Sequence, residues 1–232
     1  MRIDKFLSNL KYGSRSNIGI DIKKGLVKIN DKIITDSHFK VNPLKDKVFY
    51  NNILVPYFKN LNLMIYKPKG YLSANSDNLH EVVVSLIKDP FDKYDLKIAG
   101  RLDLDSEGLL ILTNTGSFAH KITSPNSKIA KIYEVLTDNT NLNYEKMLDG
   151  VIIKDKDNVD FLAKALKIIK IGENLFEITI DEGKFHQVKR MFKALEMNVI
   201  NLKRIQIGKL KLGDLKPGEY RIFDEDELLW QI

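Results

Sequence analysis

Six residues, Gly108-Leu109-Leu110-Ile111-Leu112-Thr113, constrain this chain more than any other segment. The run carries no charge and is short. It therefore reads as a strand apolar enough to be buried on both faces. Asn114-Thr115-Gly116 then turns the chain into a helix over about 117–122. The strand is entered from a polar loop, Gly100-Arg101-Leu102-Asp103-Leu104-Asp105-Ser106-Glu107, and another short strand, 96–99, precedes that loop. A carboxylate in a loop between two apolar strands can be fixed at the rim of a pocket. The residues alone leave a plainer role open, in which Asp103 or Asp105 only caps backbone N–H groups in a turn.

The rest of the segment from 61 onward supplies partners for that strand. Residues 61–66 and 131–136 alternate in polarity as half-buried strands do, and 163–171 and 174–181 add further strands. Helices are expected over 79–88, 142–149 and 185–195. The stretch 203–223 reads as strands broken by Gly208, Gly213 and Pro217-Gly218. This order predicts an α+β fold whose mixed, mainly antiparallel sheet is flanked by helices.

Residues 1–60 differ in charge. They hold twelve Lys and Arg against five Asp, a net +7, while the rest of the chain is close to neutral. Ile3, Phe6 and Leu10 mark a first helix, and Ser14 or Ser16 can cap a second that ends at Gly25. A hairpin over 26–34, turning at Asn30-Asp31, and a strand at 45–50 follow. Helix, turn, helix and small sheet, with Arg2, Lys5, Arg15, Lys23 and Lys24 on the early elements, resembles the S4 RNA-binding domain. A basic module on a near-neutral body suits a polyanionic partner. Residues 1–58 are thus expected to form an S4-like RNA-binding domain, 51–60 to include the linker, and 61–232 to form a catalytic domain.

Composition narrows the chemistry. There is no cysteine, which excludes disulfides and thiolate metal sites. The four histidines, His38, His80, His120 and His186, have no ligand spacing, so no metal site is expected. No dinucleotide fingerprint is present and no cofactor is expected. No apolar run is long enough to cross a membrane, and the polar start is unlike a signal peptide. A cytoplasmic monomer is the expectation.

The stretch GRLDLDSEGLLILTNTG resembles the central motif of the RsuA/RluB/RluE/RluF family of pseudouridine synthases. Lys67-Pro68-Lys69-Gly70 is similar to the family's first motif, and Lys131-Ile132-Tyr133 to the segment bearing its active-site tyrosine. Residues 182–191, EGKFHQVKRM, are similar to its third motif. Leu202, Arg204, Ile207-Gly208 and Pro217-Gly218-Glu219-Tyr220-Arg221 follow its C-terminal pattern, so the resemblance runs along nearly the whole chain in the right order.

The resemblance implies isomerisation of a uridine in ribosomal RNA, with Asp103 as catalytic carboxylate acting at the sugar. It implies that Tyr133 offers a flat face to the uracil, although an alternating strand would also accept it as a core tyrosine. A cation is needed beside Asp103 to keep it ionised, and Lys189 is expected there, with Arg190 as the second choice. Arg101, His186, Gln187 and Arg190 join Arg2, Lys5, Arg15, Lys23 and Lys24 as expected RNA contacts, while Asp105 and Glu107 are expected as loop residues. The third motif is closest to the RsuA branch, which implies 16S ribosomal RNA or a small-subunit assembly intermediate as substrate. Two same-fold alternatives are a 23S enzyme of the family and a non-catalytic assembly factor. A hydrolase using Asp103 and Asp105 comes from a different class.

Overall fold

A computed structural model of the chain describes residues 1–154 and 157–228. The chain divides into two compact units, Met1–Leu61 with Lys88–Asp95, and Asn62–Ile87 with Leu96–Ile232.

In the first unit, α1 (Ile3–Asn9) and α2 (Arg15–Lys23) precede four short strands, β1 (Val27–Ile29), β2 (Lys32–Ile34), β3 (Val48–Tyr50) and β4 (Ile53–Leu54). Ser14 caps α2 by accepting a hydrogen bond from the Asn17 N–H at 3.2 Å. The sheet order is β2-β1-β3-β4, with antiparallel neighbours. Ile3, Phe6, Leu7, Ile18 and Ile22 are buried, so both helices turn their apolar stripes inward. The third strand is shorter than expected, because the N–H groups of Lys45 and Asp46 both turn back onto the Asn42 carbonyl.

The second unit contains β5 (Asn62–Lys67), β6 (Lys97–Ala99), β7 (Glu107–Thr113), α3 (Gly116–Thr123), β8 (Lys131–Thr137), α4 (Lys146–Asp149), β9 (Val151–Lys154), β10 (Asp160–Ala163), β11 (Lys167–Lys170), β12 (Leu175–Ile180), α5 (Gln187–Lys193), β13 (Val199–Ile207), β14 (Leu210–Lys211), β15 (Tyr220–Ile222) and α6 (Glu225–Leu228). The main sheet runs β11-β12-β8-β13-β7-β5-β15, with β14 paired to β13 and β6 to β7. Every pairing given for this sheet is antiparallel except β13 with β7. The fold is α+β with a mixed, mainly antiparallel sheet. Leu109 to Leu112 of β7 are fully buried, as an uncharged run demands. One hydrophobic cluster gathers Phe176, Ile178, Met191 and Phe192, and a second gathers Met64, Leu109, Ile111 and Phe118.

Three expectations shift. The helix expected over 79–88 is only a 3₁₀ turn at Val83–Leu86. Leu72 bridges Val82 in parallel, and the Val83 N–H donates to the Leu72 carbonyl, which holds the chain extended where a helix would begin. The strand expected at 163–171 breaks after Ala163, where the Ala165 N–H donates to the Met147 carbonyl. The last long strand begins at Val199, earlier than 203. No helix among the described residues is long and apolar enough to cross a membrane, and none of their His, Asp and Glu side chains group as a metal site.

Candidate active site

The loop between β6 and β7 carries Asp103, and its shape is set by donors from elsewhere in the unit. The Ser73 hydroxyl donates to the Leu102 carbonyl at 2.7 Å and accepts the Leu102 N–H at 3.1 Å. The Gly70 N–H donates to the Leu104 carbonyl. Lys67, 0% exposed, donates to the carbonyls of Ser106 at 2.7 Å and Pro68 at 3.0 Å. Burial drives the Lys67 ammonium down to about 8, although the charges of Asp103 and Asp105 pull the other way.

Arg204 of β13 spans the ends of the loop. It is 2% exposed, its Nε donates to the Leu109 carbonyl and its Nη2 to the Gly100 carbonyl, both at 2.8 Å. The parallel register of β13 on β7 sets Arg204 beside Gly108. A Cβ on Gly108 would lie 2.3 Å from the Arg204 carbonyl oxygen, and Gly108 has φ +107. Only glycine meets both conditions.

Asp103 lines a cavity of about 630 Å³ whose walls also include Arg101, Tyr133, His186, Lys189's neighbour Val188, and Arg204. Lys189 Nζ lies 3.1 Å from Asp103 Oδ2 and 2.5 Å from Asp105 Oδ1. Of the two candidate cations, Lys189 is the one that reaches Asp103. The adjacent Arg190 turns away, donating to the Lys154 carbonyl and lying over the Phe185 ring with Cζ 5.0 Å from its centroid. Asp105 makes more of the site than its expected place as a loop residue suggested. Burial would raise its carboxyl, but the hydrogen bond and charge of Lys189 hold it below the usual range.

His186 adds a second nitrogen at Asp103, with Nε2 3.3 Å from Oδ1. It sits in a left-handed conformation just before α5, its ring stacked on Phe185 at 3.7 Å. Gln187, expected as an RNA contact, lines the cavity, yet it is 3% exposed and its amide is engaged. Its Oε1 accepts the Lys184 N–H at 3.0 Å and its Nε2 donates to Glu182 at 3.2 Å. It shapes the 182–187 loop from inside. Glu107 accepts from Tyr66 at 2.7 Å and Asn201 at 2.9 Å. Against the raising effect of burial, these bonds hold its carboxyl low.

Tyr133 is 6% exposed and stands on β8 directly opposite Arg204 on β13. Both earlier readings of it meet here, since it belongs to a hydrophobic cluster and also lines the cavity. Lys131, two residues earlier on the same face, lines the cavity as well, as does Ser106, whose buried hydroxyl has no hydrogen-bond partner among the described residues.

In the first unit, Lys5, Lys23 and Lys24 are exposed, while Arg2 and Arg15 converge on the buried Asp4 at 2.7 and 2.8 Å. Burial pushes the Asp4 carboxyl up, but hydrogen bonds from Arg2, Arg15 and the Lys5 N–H bring it down to about 2. Each guanidinium remains partly exposed beside that bond.

The family model described as RNA pseudouridylate synthase matches residues 61–194, and that of the S4 domain matches residues 1–48. An uncharacterised RNA pseudouridine synthase of Bacillus subtilis is 38% identical, covering 98% of this chain and 97% of its own. Ribosomal small subunit pseudouridine synthase A of Escherichia coli K12 is 34% identical, covering 98% of each chain. A crystal structure of a pseudouridylate synthase superposes with a TM-score of 0.66 at 31% identity, over 98% of both chains. The chain belongs to the RNA pseudouridylate synthase family and carries an S4 domain at its N-terminal side.

Proposed function

We propose that the Asp103 cavity isomerises one uridine of 16S ribosomal RNA to pseudouridine, in free RNA or in a small-subunit assembly intermediate in the bacterial cytoplasm, with the enzyme acting as a monomer. The observation that carries this reading is that Asp103 and Tyr133 line one cavity while Lys189 lies 3.1 Å from the Asp103 carboxylate. The names of the ribosomal small-subunit relatives support the choice of RNA.

The reaction needs no redox partner. The bond from ribose C1′ to uracil N1 breaks, the base turns, and C1′ bonds to C5. The C5 proton leaves and N1 gains one. Asp103 acts at the sugar, as nucleophile at C1′ or as base. Lys189 pairs with this carboxylate and orients it, with His186 as a second neighbour. The target base must leave its stack to enter the cavity, and stacking on Tyr133 compensates part of that loss. Arg101, exposed at the mouth, holds the flipped strand. The S4 unit grips phosphates through Lys5, Lys23 and Lys24.

The test is direct. Wild type and Asp103→Ala are incubated with unmodified 16S and 23S RNA, free and in particles, and pseudouridine is mapped by carbodiimide labelling and primer extension. One new stop in 16S RNA, absent with Asp103→Ala, is expected. A stop only in 23S RNA would overturn the substrate. Tight binding with no stop in any RNA would favour an assembly factor.

A further inference from the structure

Two cations in the cavity wall carry charges that no carboxylate among the described residues answers, although Arg204 also braces the Asp103 loop. Lys131 is 8% exposed and Arg204 2%, and both border the space in front of Tyr133. Neither forms an ion pair with a carboxylate among the described residues. Lys131 donates to the Ile129 carbonyl at 2.9 Å, and Arg204 to the two loop carbonyls. The acid that most affects Lys131 is Asp181, which is paired instead with Lys128 at 3.4 Å. Burial pushes the Lys131 ammonium down to about 8, Arg204 adds to the push, and Asp181 opposes it. Two neighbouring buried cations without an anion are costly to keep, so their counter-charge is to be sought in what enters the cavity.

A phosphodiester and the base are the two candidates. Arg204 lies directly opposite Tyr133 across the strands, with Cζ 6.0 Å from the ring centroid. A base lying on Tyr133 presents its edge there, whereas the phosphates stay on the strand outside, where Arg101 and Lys184 stand exposed. The uracil gains charge during the reaction. When the C1′–N1 bond breaks, the electron pair leaves with N1 and spreads to O2 and O4. That charge is lost again when C5 bonds to C1′, and the proton from C5 ends on N1.

We propose that Lys131 and Arg204 form a cationic wall that takes up the negative charge on the uracil when its bond to ribose breaks. The wall is in place before the reaction, which is how fixed charges lower a barrier. This rests on the reading of the Asp103 cavity as the active site.

The experiment uses the full chain and small-subunit RNA transcripts made with uridine or with 5-fluorouridine throughout. Fluorine makes the departing base a weaker base, which needs less help from a cation. Single-turnover loss of the target nucleoside is followed by nucleoside mass spectrometry, and RNA affinity is measured separately. Lys131→Met should slow uridine conversion about 100-fold at unchanged affinity. It should slow the 5-fluorouridine reaction at least several-fold less, and Lys131→Arg should recover most of the rate. Arg204→Lys should show the same unequal loss. Equal loss on both substrates would overturn the inference, as would weaker binding with a salt slope reduced by about one and an unchanged rate, the mark of a phosphate contact. Wild-type turnover by Asp103→Ala would instead remove the active-site reading beneath it.

Discussion

The ammonium of Lys189 lies 3.1 Å from the carboxylate of Asp103 and, on its other side, 2.5 Å from Asp105. One cation thus serves two acids of the same loop. If Lys189 acts through Asp103, removing either should remove most of what the pair does. Asp103→Ala and Lys189→Met should each lower kcat by about 1000-fold or more, and the double variant should be little worse. Asp105→Asn frees Lys189 for Asp103 and should cost about tenfold or less. Single-turnover rates on 16S RNA measure all four. Additive losses for the first two would break the pairing.

Tyr133 is proposed to act with its face. Tyr133→Phe keeps that face and should retain activity within about tenfold, while Tyr133→Ala removes a stacking platform on the order of 1–3 kcal/mol per base. Equal turnover by the two variants would count against stacking.

Gly108→Ala adds a methyl 2.3 Å from the Arg204 carbonyl oxygen, at φ +107. Strands β7 and β13 would have to part. A loss of about 3 kcal/mol or more in urea unfolding is expected, together with loss of turnover. Gly183→Ala meets no atom within 4 Å and is the control.

Asp4 gives the first unit a pH dependence. Its carboxyl sits at about 2 when folded, against 3.8 as the ordinary value. Because the folded value is depressed, the contribution is complete above about pH 4 and is lost as pH falls through about 2. Asp4→Asn should cost on the order of 1–3 kcal/mol at pH 7. The gap to wild type should close between pH 4 and 2 in urea titrations; a constant gap would exclude the mechanism.

The exposed lysines of the first unit should act on every RNA alike. Lys23→Ala with Lys24→Ala should weaken binding and lower the salt slope by about two, with kcat unchanged. An unaltered slope would exclude phosphate contact at these positions.

Much of this arrangement is legible in the sequence, for identifiable reasons. The buried strand at 108–113 announces itself because a run without charge leaves few choices. Asp103 and Lys189 stand 86 positions apart, and only the resemblance of their motifs brings them together before the fold is seen. The helix expected at 79–88 fails because its apolar spacing is also satisfied by a chain pinned to Leu72. Arg204 is the least legible. An arginine in an alternating strand reads as solvent-facing, and its burial depends on the parallel pairing of β13 with β7, fixed by a distant glycine. Lys131 hides in the same way, and the grip of Lys189 on Asp105 comes from loop geometry that spacing does not encode.

The Asp103 loop takes its shape from Lys67, Gly70, Ser73 and Arg204, which are scattered over nearly 140 positions. Its seven residues, 100–106, are therefore not a portable cassette. Spliced into a foreign scaffold, they would bring the carboxylate and leave behind every donor that aims it. A lineage that kept the loop sequence and let those outlying donors drift would hold the signature of an enzyme without its reach.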